Sequence, residues 1–396
     1  MTTSGVGRHT GIDAVRGAIM VVMALDHVRE FVHADAMVFN AEDLARTTPI
    51  LFLTRWVTHV CAPGFAFLAG LAAARRLARD HDRAGLSRYL WTRGLWLVVL
   101  ELTVMRVALT FRFSAEDPLL LIILVALGVS MMALAALVWL PPPAVLAYGV
   151  AVVALHNLLD PLRPADFGAL TPLWTLLHAP GVFVVGGLPI VSGYPWLPWT
   201  GVMALGFAAG PLYDLEAERR CTILARTGVA LVAGFVVLRT LNGYGDPDPW
   251  SPQASPTMTV LSFLRTTKYP PSLQFLLMTL GPLLVGLAWA ERRSPSPAHP
   301  LVAIGRAPLF YYVVHFLLAH LAASSIAAWL HGPTVAFLSG PFPSMGGSPA
   351  RYPAGFGQPL WVVYVTWVGL VAAMLPLCRW YLRVTSARRR WWGRSL

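Results

Sequence analysis

The chain has 396 residues, 56% of them hydrophobic and only 12% charged, with 15 tryptophans. A soluble domain carries about 25% charged residues, so the composition excludes an ordinary globular enzyme and points to a polytopic helical membrane protein. The net charge of +11 sits in arginine clusters between apolar runs, which is the pattern of positive-inside topology and argues against a nucleic-acid partner.

Apolar segments follow one another near 12–33, 51–74, 94–112, 118–140, 144–160, 173–191, 196–213, 221–238, 271–290, 301–330 and 359–382. None alternates polar and apolar residues as a β-barrel strand does. No short leader with a cleavage site precedes the first segment, which is expected to be a retained helix. Arg75, Arg76, Arg79, Arg83, Arg88 and Arg93 fall in the 75–93 loop and place it in the cytoplasm. The 34–50 loop, with Asp35, Glu42 and Asp43, then lies outside, and the N-terminus inside.

If every segment spanned, the Glu291-Arg292-Arg293 loop and the arginine-rich tail would both lie outside. Removing one span corrects both. Segment 173–191 is the weakest, being broken by Pro180, Gly181, Gly186, Gly187 and Pro189. The expected fold is therefore all-α, with ten transmembrane helices (eleven if 173–191 also spans). Segment 173–191 becomes an outer-side re-entrant or interfacial element. One domain is expected over 8–382, followed by a basic cytoplasmic tail at 383–396. The 239–270 and 331–358 loops, rich in Pro, Gly and Ser, fall outside as a lid or entrance. No internal repeat of the kind many transporters carry is evident.

The first segment holds the most informative residues. Arg16 and His27 are eleven positions apart, which on a helix puts them on one face, roughly 16 Å apart along the axis. Ionisable groups within a membrane are costly and point to function. Arg16 suits a phosphate group or, alternatively, an interfacial pair with Asp13. His27 suits a general base or, alternatively, a buried hydrogen-bonding role. Asp26 points about 100° away from His27 on a helix, so the group that orients this imidazole is expected from another helix. His33, near the helix end, is either a second candidate base or a solvent-exposed loop histidine.

Further along, Arg55 and His59 lie four apart and share a face. Glu101 is an intramembrane carboxylate with Arg106 five residues on, an expected ion pair. The run Gly305-Arg306-Ala307-Pro308-Leu309-Phe310-Tyr311-Tyr312, followed by His315, opens the segment after the Glu291 loop. Arg306 is a second candidate phosphate contact. His315 and His320 are each read as core histidines or, for His315, a substrate contact. No metal-ligand spacing, nucleotide-binding glycine loop or serine-nucleophile turn appears, and Cys61, Cys221 and Cys378 are too far apart for a disulfide or metal motif.

The opening Asp13-Ala14-Val15-Arg16-Gly17 with Asp26-His27-Val28-Arg29 resembles bacterial proteins grouped with the heparan-α-glucosaminide N-acetyltransferase catalytic domain. Four more stretches agree with that group: Ala62-Pro63-Gly64-Phe65 with Leu68-Ala69-Gly70, the run Tyr194 to Met203, Lys268-Tyr269-Pro270-Pro271-Ser272-Leu273, and the run Gly305 to Tyr312 with His315. The wider transmembrane acyltransferase superfamily is similar in one feature, an arginine followed after ten residues by a histidine on its first helix. Arg16 and His27 reproduce it. In the animal enzyme the histidine regarded as active comes later on that helix, and His33 is the nearest residue by position.

The resemblance implies a multi-pass acyltransferase of the bacterial inner membrane with both termini cytoplasmic. It would take an acyl group from cytoplasmic acyl-CoA, typically acetyl-CoA, to a sugar or glycolipid amine or hydroxyl, without a metal. Membrane lipid, the acyl-CoA and the acceptor are the implied partners, and a homo-oligomer is compatible with it. The expected catalytic residues are His27 and His33, and the expected donor contacts Arg16 and Arg306. Asp26, Arg55, His59, Glu101, Tyr312 and His315 are the expected substrate contacts. The alternative is a non-enzymatic carrier or flippase for an anionic or lipid-linked solute, in which the same charges line a path.

Overall fold

The computed structural model describes residues 9–114, 117–332, 338–345 and 347–392, with side chains through 386. Fifteen α-helices are described. They are α1 (Thr10–Val32), α2 (Pro49–Trp56), α3 (Cys61–Asp80), α4 (Arg83–Leu100), α5 (Arg106–Thr110), α6 (Ile123–Leu137), α7 (Pro142–Leu155), α8 (Thr171–Leu177), α9 (Trp196–Ala208), α10 (Ala217–Leu241), α11 (Pro256–Leu264), α12 (Leu273–Arg293), α13 (Pro300–Gly305), α14 (Pro308–His331) and α15 (Leu360–Trp392). Three short strands join them: β1 (Leu119–Leu121), β2 (Gly181–Val185) and β3 (Leu188–Ser192).

Local sequence explains the helix starts. Thr48 accepts from the Leu51 amide at the head of α2, with Pro49 at the first position. Asp82 does the same for Gly85 in α4, and Ser255 for Met258 in α11. Each satisfies an amide that the first turn leaves without a partner. Proline likewise opens α13 and α14, where its missing N–H costs nothing.

Six stretches of helix are long and apolar enough to cross a membrane: Pro49–Asp80, Pro142–Leu159, Ala217–Leu241, Leu273–Arg293, Pro308–His331 and Leu360–Ser386. The apolar part of α15 is only 17% buried and that of α10 only 22%. Residues such as Val229, Val236, Val237, Trp361 and Val365 are exposed on them. A helix apolar on its outward face has lipid as its natural solvent. The protein is thus a mostly helical, multi-pass membrane protein. Helix α1 is long enough to span but carries Asp13, Arg16, Asp26, Arg29 and Glu30.

Segment 173–191 is part α8 and part β-hairpin, not one continuous helix of the kind an eleventh span would need. Gly186 and Gly187 take φ of +58° and +84°, the positive values a two-residue hairpin turn requires. Val182, Val184 and Val185 supply the β-branched residues that favour strand. β2 pairs antiparallel with β3, and β1 pairs parallel with β3, in the order β1-β3-β2. Of the glycines that break this segment, Gly186 and Gly187 form the turn of the hairpin and Gly181 opens β2.

The chain forms two compact units. The first comprises Ala62–Val104 and Ser114–Arg292. Within it α4 packs on α6, α7 on α9, and α10 crosses α12 where Gly228 and Gly281 meet; a Cβ on Gly228 would lie 2.6 Å from the Gly281 carbonyl oxygen. The 239–270 segment in this unit is organised by Arg239, which is 1% exposed. Its guanidinium donates to the carbonyls of Ser262, Phe263, Asp248 and Arg265 and to Gln274 Oε1. Asp246 accepts from the Thr267 amide and hydroxyl and from the Ser272 hydroxyl. Buried donors and acceptors so fully matched give a built cap, not a slack loop.

The second unit comprises His9–Cys61, Met105–Phe113 and Arg293–Leu396. α1 runs through it against α13, α14 and α15. The approach of α1 to α13 depends on two glycines. A Cβ on Gly305 would lie 1.8 Å from the Asp13 carbonyl oxygen, and one on Gly17 1.9 Å from that of Leu301. The Trp367 indole of α15 donates to the Val21 carbonyl at 2.8 Å. Helix α15 continues through Arg383 to Trp392, so the basic tail is helical over most of its length.

Candidate active site

The second unit brings His27 of α1 onto α14. His27 Nδ1 lies 2.7 Å from His315 Nε2, and His315 Nδ1 lies 2.9 Å from the Tyr311 carbonyl oxygen. A carbonyl only accepts, so His315 Nδ1 carries the proton and its Nε2 is the acceptor. His27 must then donate from Nδ1, which leaves Nε2 of the neutral ring as its basic nitrogen. The Phe316 ring stacks on His27 with centroids 4.0 Å apart and fixes the plane of the imidazole. His315 is fully buried, while His27 is partly exposed. The orienting group for His27, expected from another helix, is therefore a second histidine. Tyr312 packs its ring edge-on beside His315, with centroids 5.8 Å apart.

His33 has different surroundings. It is 4% exposed, which corrects the solvent-exposed alternative. It caps the C-terminal end of α1, and its Nδ1 accepts from the Asp35 amide at 3.2 Å. The flanking backbone bridges to Gln358 through Ala34 N to Gln358 O and Gln358 N to Val32 O. Accepting at Nδ1 makes the neutral ring an Nε2–H tautomer, which has no second lone pair to serve as a base. His320, read as a core residue, has its nitrogens 3.1 and 3.0 Å from the Ala108 and Leu338 carbonyl oxygens.

Asp26, Arg55 and His59 are joined in one buried network. Asp26 accepts from Arg29 at 3.1 Å through one oxygen and from Arg55 through the other. Arg55 Nε lies 3.8 Å from Glu42, and His59 Nε2 lies 3.4 Å from the same carboxylate. The pairing of Asp26 with Arg55, across 29 positions of sequence, ties α1 to α2. Glu101, in the first unit, accepts from the Leu124 amide at 2.8 Å and so caps the start of α6, satisfying an amide that the first turn leaves without a partner. Arg106, in the second unit, lies over the Phe113 ring at 5.0 Å.

At the other end of α1, Arg16 Nη1 donates to Asp13 at 3.0 Å and to the Gly305 carbonyl at 3.1 Å. The next residue, Arg306, lines an open pocket of about 530 Å³. Arg379 and Arg383 of α15 line the same pocket, with Ala303, Pro376 and Leu382 forming apolar wall. Three guanidinium groups on an apolar-walled pocket suit an anion with an apolar extension, because guanidinium forks match phosphate oxygens. Arg379 escaped the sequence reading because a cation at a helix end looks like a topology signal.

A family model described as heparan-alpha-glucosaminide N-acetyltransferase, catalytic, matches residues 8–241, more than half of the chain. The chain belongs to that family. Membership of the heparan-alpha-glucosaminide N-acetyltransferase family makes it a membrane acetyltransferase by kind, and the matched span contains Arg16, Asp26, His27, His33, Arg55, His59 and Glu101. Arg306, Tyr312 and His315 lie beyond the matched span, although the structure places His315 on His27 and Arg306 beside Arg16's carbonyl partner. No curated protein matches the chain. In the first unit, His156, Asp160 and His178 come together, a grouping that no sequence spacing revealed.

Proposed function

We propose that this acetyltransferase moves an acetyl or other short acyl group from cytoplasmic acyl-CoA to the amine or hydroxyl of a sugar or glycolipid at or beyond the membrane. The observation that carries the proposal is the His27–His315 pair. It holds a partly exposed imidazole with its basic Nε2 away from the orienting hydrogen bond. In the reaction, His27 Nε2 takes the proton of the acceptor amine or hydroxyl as that group attacks the thioester carbonyl. The carbon–sulfur bond then breaks and CoA leaves as the thiolate, which the proton on His27 can neutralise. Arg306, Arg379 and Arg383 take the donor phosphates, while Arg16 holds the Gly305 carbonyl and so sets the start of α14. His315 is a positioning residue. His33 and the Asp26–Arg55 network hold the outer end of α1 in place.

The same reading supplies the membrane arrangement. The arginines of 75–93 and of the tail lie in the cytoplasm with both termini, ten helical segments span, and the hairpin of 173–191 lies on the outer side. The proposal is tested with purified protein, acetyl-CoA and an amino sugar, following CoA thiol release. Release that depends on the sugar is expected, and His315→Ala should slow it about tenfold, the value of one ~1.5 kcal/mol hydrogen bond. A wild-type protein that binds acetyl-CoA but never releases CoA with any amine or hydroxyl acceptor overturns it.

A further inference from the structure

The first unit contains a group of side chains that the acyl-transfer chemistry does not use. His156 lies in the 3₁₀ turn His156–Leu159 that ends α7, Asp160 follows that turn, and His178 ends α8. One potential ligand atom from each lies within 4.8 Å of the others. Both imidazoles are 2% exposed, whereas Asp160 reaches the surface. His178 Nε2 lies 2.9 Å from Asp160 Oδ1, and the other Asp160 oxygen accepts from Asn157 Nδ2 at 2.8 Å. Asn157 is fixed in turn by the Leu273 amide, which donates to its Oδ1 at 2.8 Å.

The second observation concerns what these rings lack. Neither ring nitrogen of His156 makes a hydrogen bond of ordinary geometry, nor does Nδ1 of His178. Buried polar groups are nearly always satisfied, and an exception calls for an explanation such as an ion. A buried His156 ring whose nitrogen lone pair no hydrogen bond uses, beside a His178–Asp160 pair whose far carboxylate oxygen is held by an amide, makes a metal site with its supporting contact already in place.

We propose that His156, Asp160 and His178 bind one transition-metal ion of the zinc class. Two nitrogens and one oxygen suit zinc, whereas calcium and magnesium require mostly oxygen ligands. A tetrahedral ion with bonds of about 2.0–2.2 Å holds its ligand atoms roughly 3.4 Å apart. His178 Nε2 and Asp160 Oδ1, now 2.9 Å apart, therefore part slightly as the three ligands settle around the ion, and a fourth position is left open toward the exposed side of Asp160. One nitrogen of His156 takes the ion while the other keeps its proton, and the Pro271 carbonyl lies close enough to act on that ring. At His178 the ion replaces the hydrogen bond from Nε2 to Asp160, and the ring proton moves to Nδ1. The ion pins the end of α7 to the end of α8 and so fixes the base of the β2–β3 hairpin. This inference is independent of the acyl-transfer proposal, since it concerns only residues of the first unit.

The test uses the full chain, purified without a histidine tag, stripped with a chelator and then given zinc chloride alone. Zinc per chain after desalting is measured by mass spectrometry, and thermal stability is followed with and without zinc. About one zinc per chain is expected for the native protein, with a rise in Tm on zinc addition. Both should be lost in His178→Ala and in Asp160→Asn, while Asn157→Ala should weaken zinc binding by about 10–100-fold. Cobalt(II) in place of zinc should give the visible absorption of a tetrahedral ion. Because this arm uses unaltered protein, it stays decisive even where a variant fails to fold. A native protein that retains no zinc and gains no stability from it overturns the proposal, as does His178→Ala holding zinc as tightly as the native chain.

Discussion

Replacing Asp26 with alanine removes the centre of the buried ion network on α1. Asp26 accepts one charge-assisted bond from Arg29 and one from Arg55, on opposite oxygens. Such bonds are worth about 1.5–3 kcal/mol each, and the deletion of one partner from a buried pair costs about 3–5 kcal/mol. Carboxylates at longer range also face both guanidinium groups, with Arg29 3.7 Å from Glu30 and Arg55 3.8 Å from Glu42 and 4.0 Å from Glu30. These distant carboxylates screen part of the exposed charge, so Asp26→Ala should lose about 3 kcal/mol, the lower end of that range. The assay is denaturant-induced unfolding in detergent. The companion variant Asp26→Leu with Arg55→Leu should cost less than the sum of its single changes, by about 1–3 kcal/mol. An Asp26→Ala protein within about 0.5 kcal/mol of wild type, with additive behaviour in the double variant, would refute the reasoning.

Four further outcomes are expected. Arg306→Ala and Arg383→Ala should each weaken acetyl-CoA binding by ~10- to 100-fold, as loss of one charged hydrogen bond implies, measured by calorimetry, with kcat changed much less. His33→Gln should keep transfer activity, because the glutamine amide can still hold the Asp35 backbone; CoA release reports it. Gly305→Ala should lower thermal stability by about 1–3 kcal/mol or prevent folding, since its Cβ meets the Asp13 carbonyl and small-to-large changes at packed sites cost that much. Arg239→Met should destabilise the first unit measurably, seen as faster proteolysis within 239–270, because its carbonyl partners there lose their donor.

How much of this was legible in the sequence depends on how far apart the partners are. The Arg16–His27 stripe follows from helical period alone, and the structure keeps both on α1. The ends of the helices were legible where a cap residue or proline stands, as at Thr48 and Pro49. His315 was visible as a histidine in an apolar segment, but its contact with His27 spans 288 positions and only helix packing creates it. The same holds for Asp26 with Arg55, and for Arg306 with Arg383, whose charge read more simply as a topology signal. Gly186-Gly187 marked the break in segment 173–191, but a hairpin turn and a broken helix share the same residues, so the strands themselves were not legible. His156 and Asp160 stand four apart and so share a turn, but His178 joins them only once α8 folds back.

The central claim is that His27, held by His315, is the base for acyl transfer while donor binding lies elsewhere on the chain. The most direct test is a paired measurement on purified His27→Ala protein: acetyl-CoA affinity by calorimetry and CoA release with an amino-sugar acceptor. The account predicts that affinity stays within a fewfold of wild type while kcat falls by ~10²–10⁴, the contribution of a positioned base. A His27→Ala protein that turns over at the wild-type rate, or one that loses acetyl-CoA binding in proportion to activity, would contradict it.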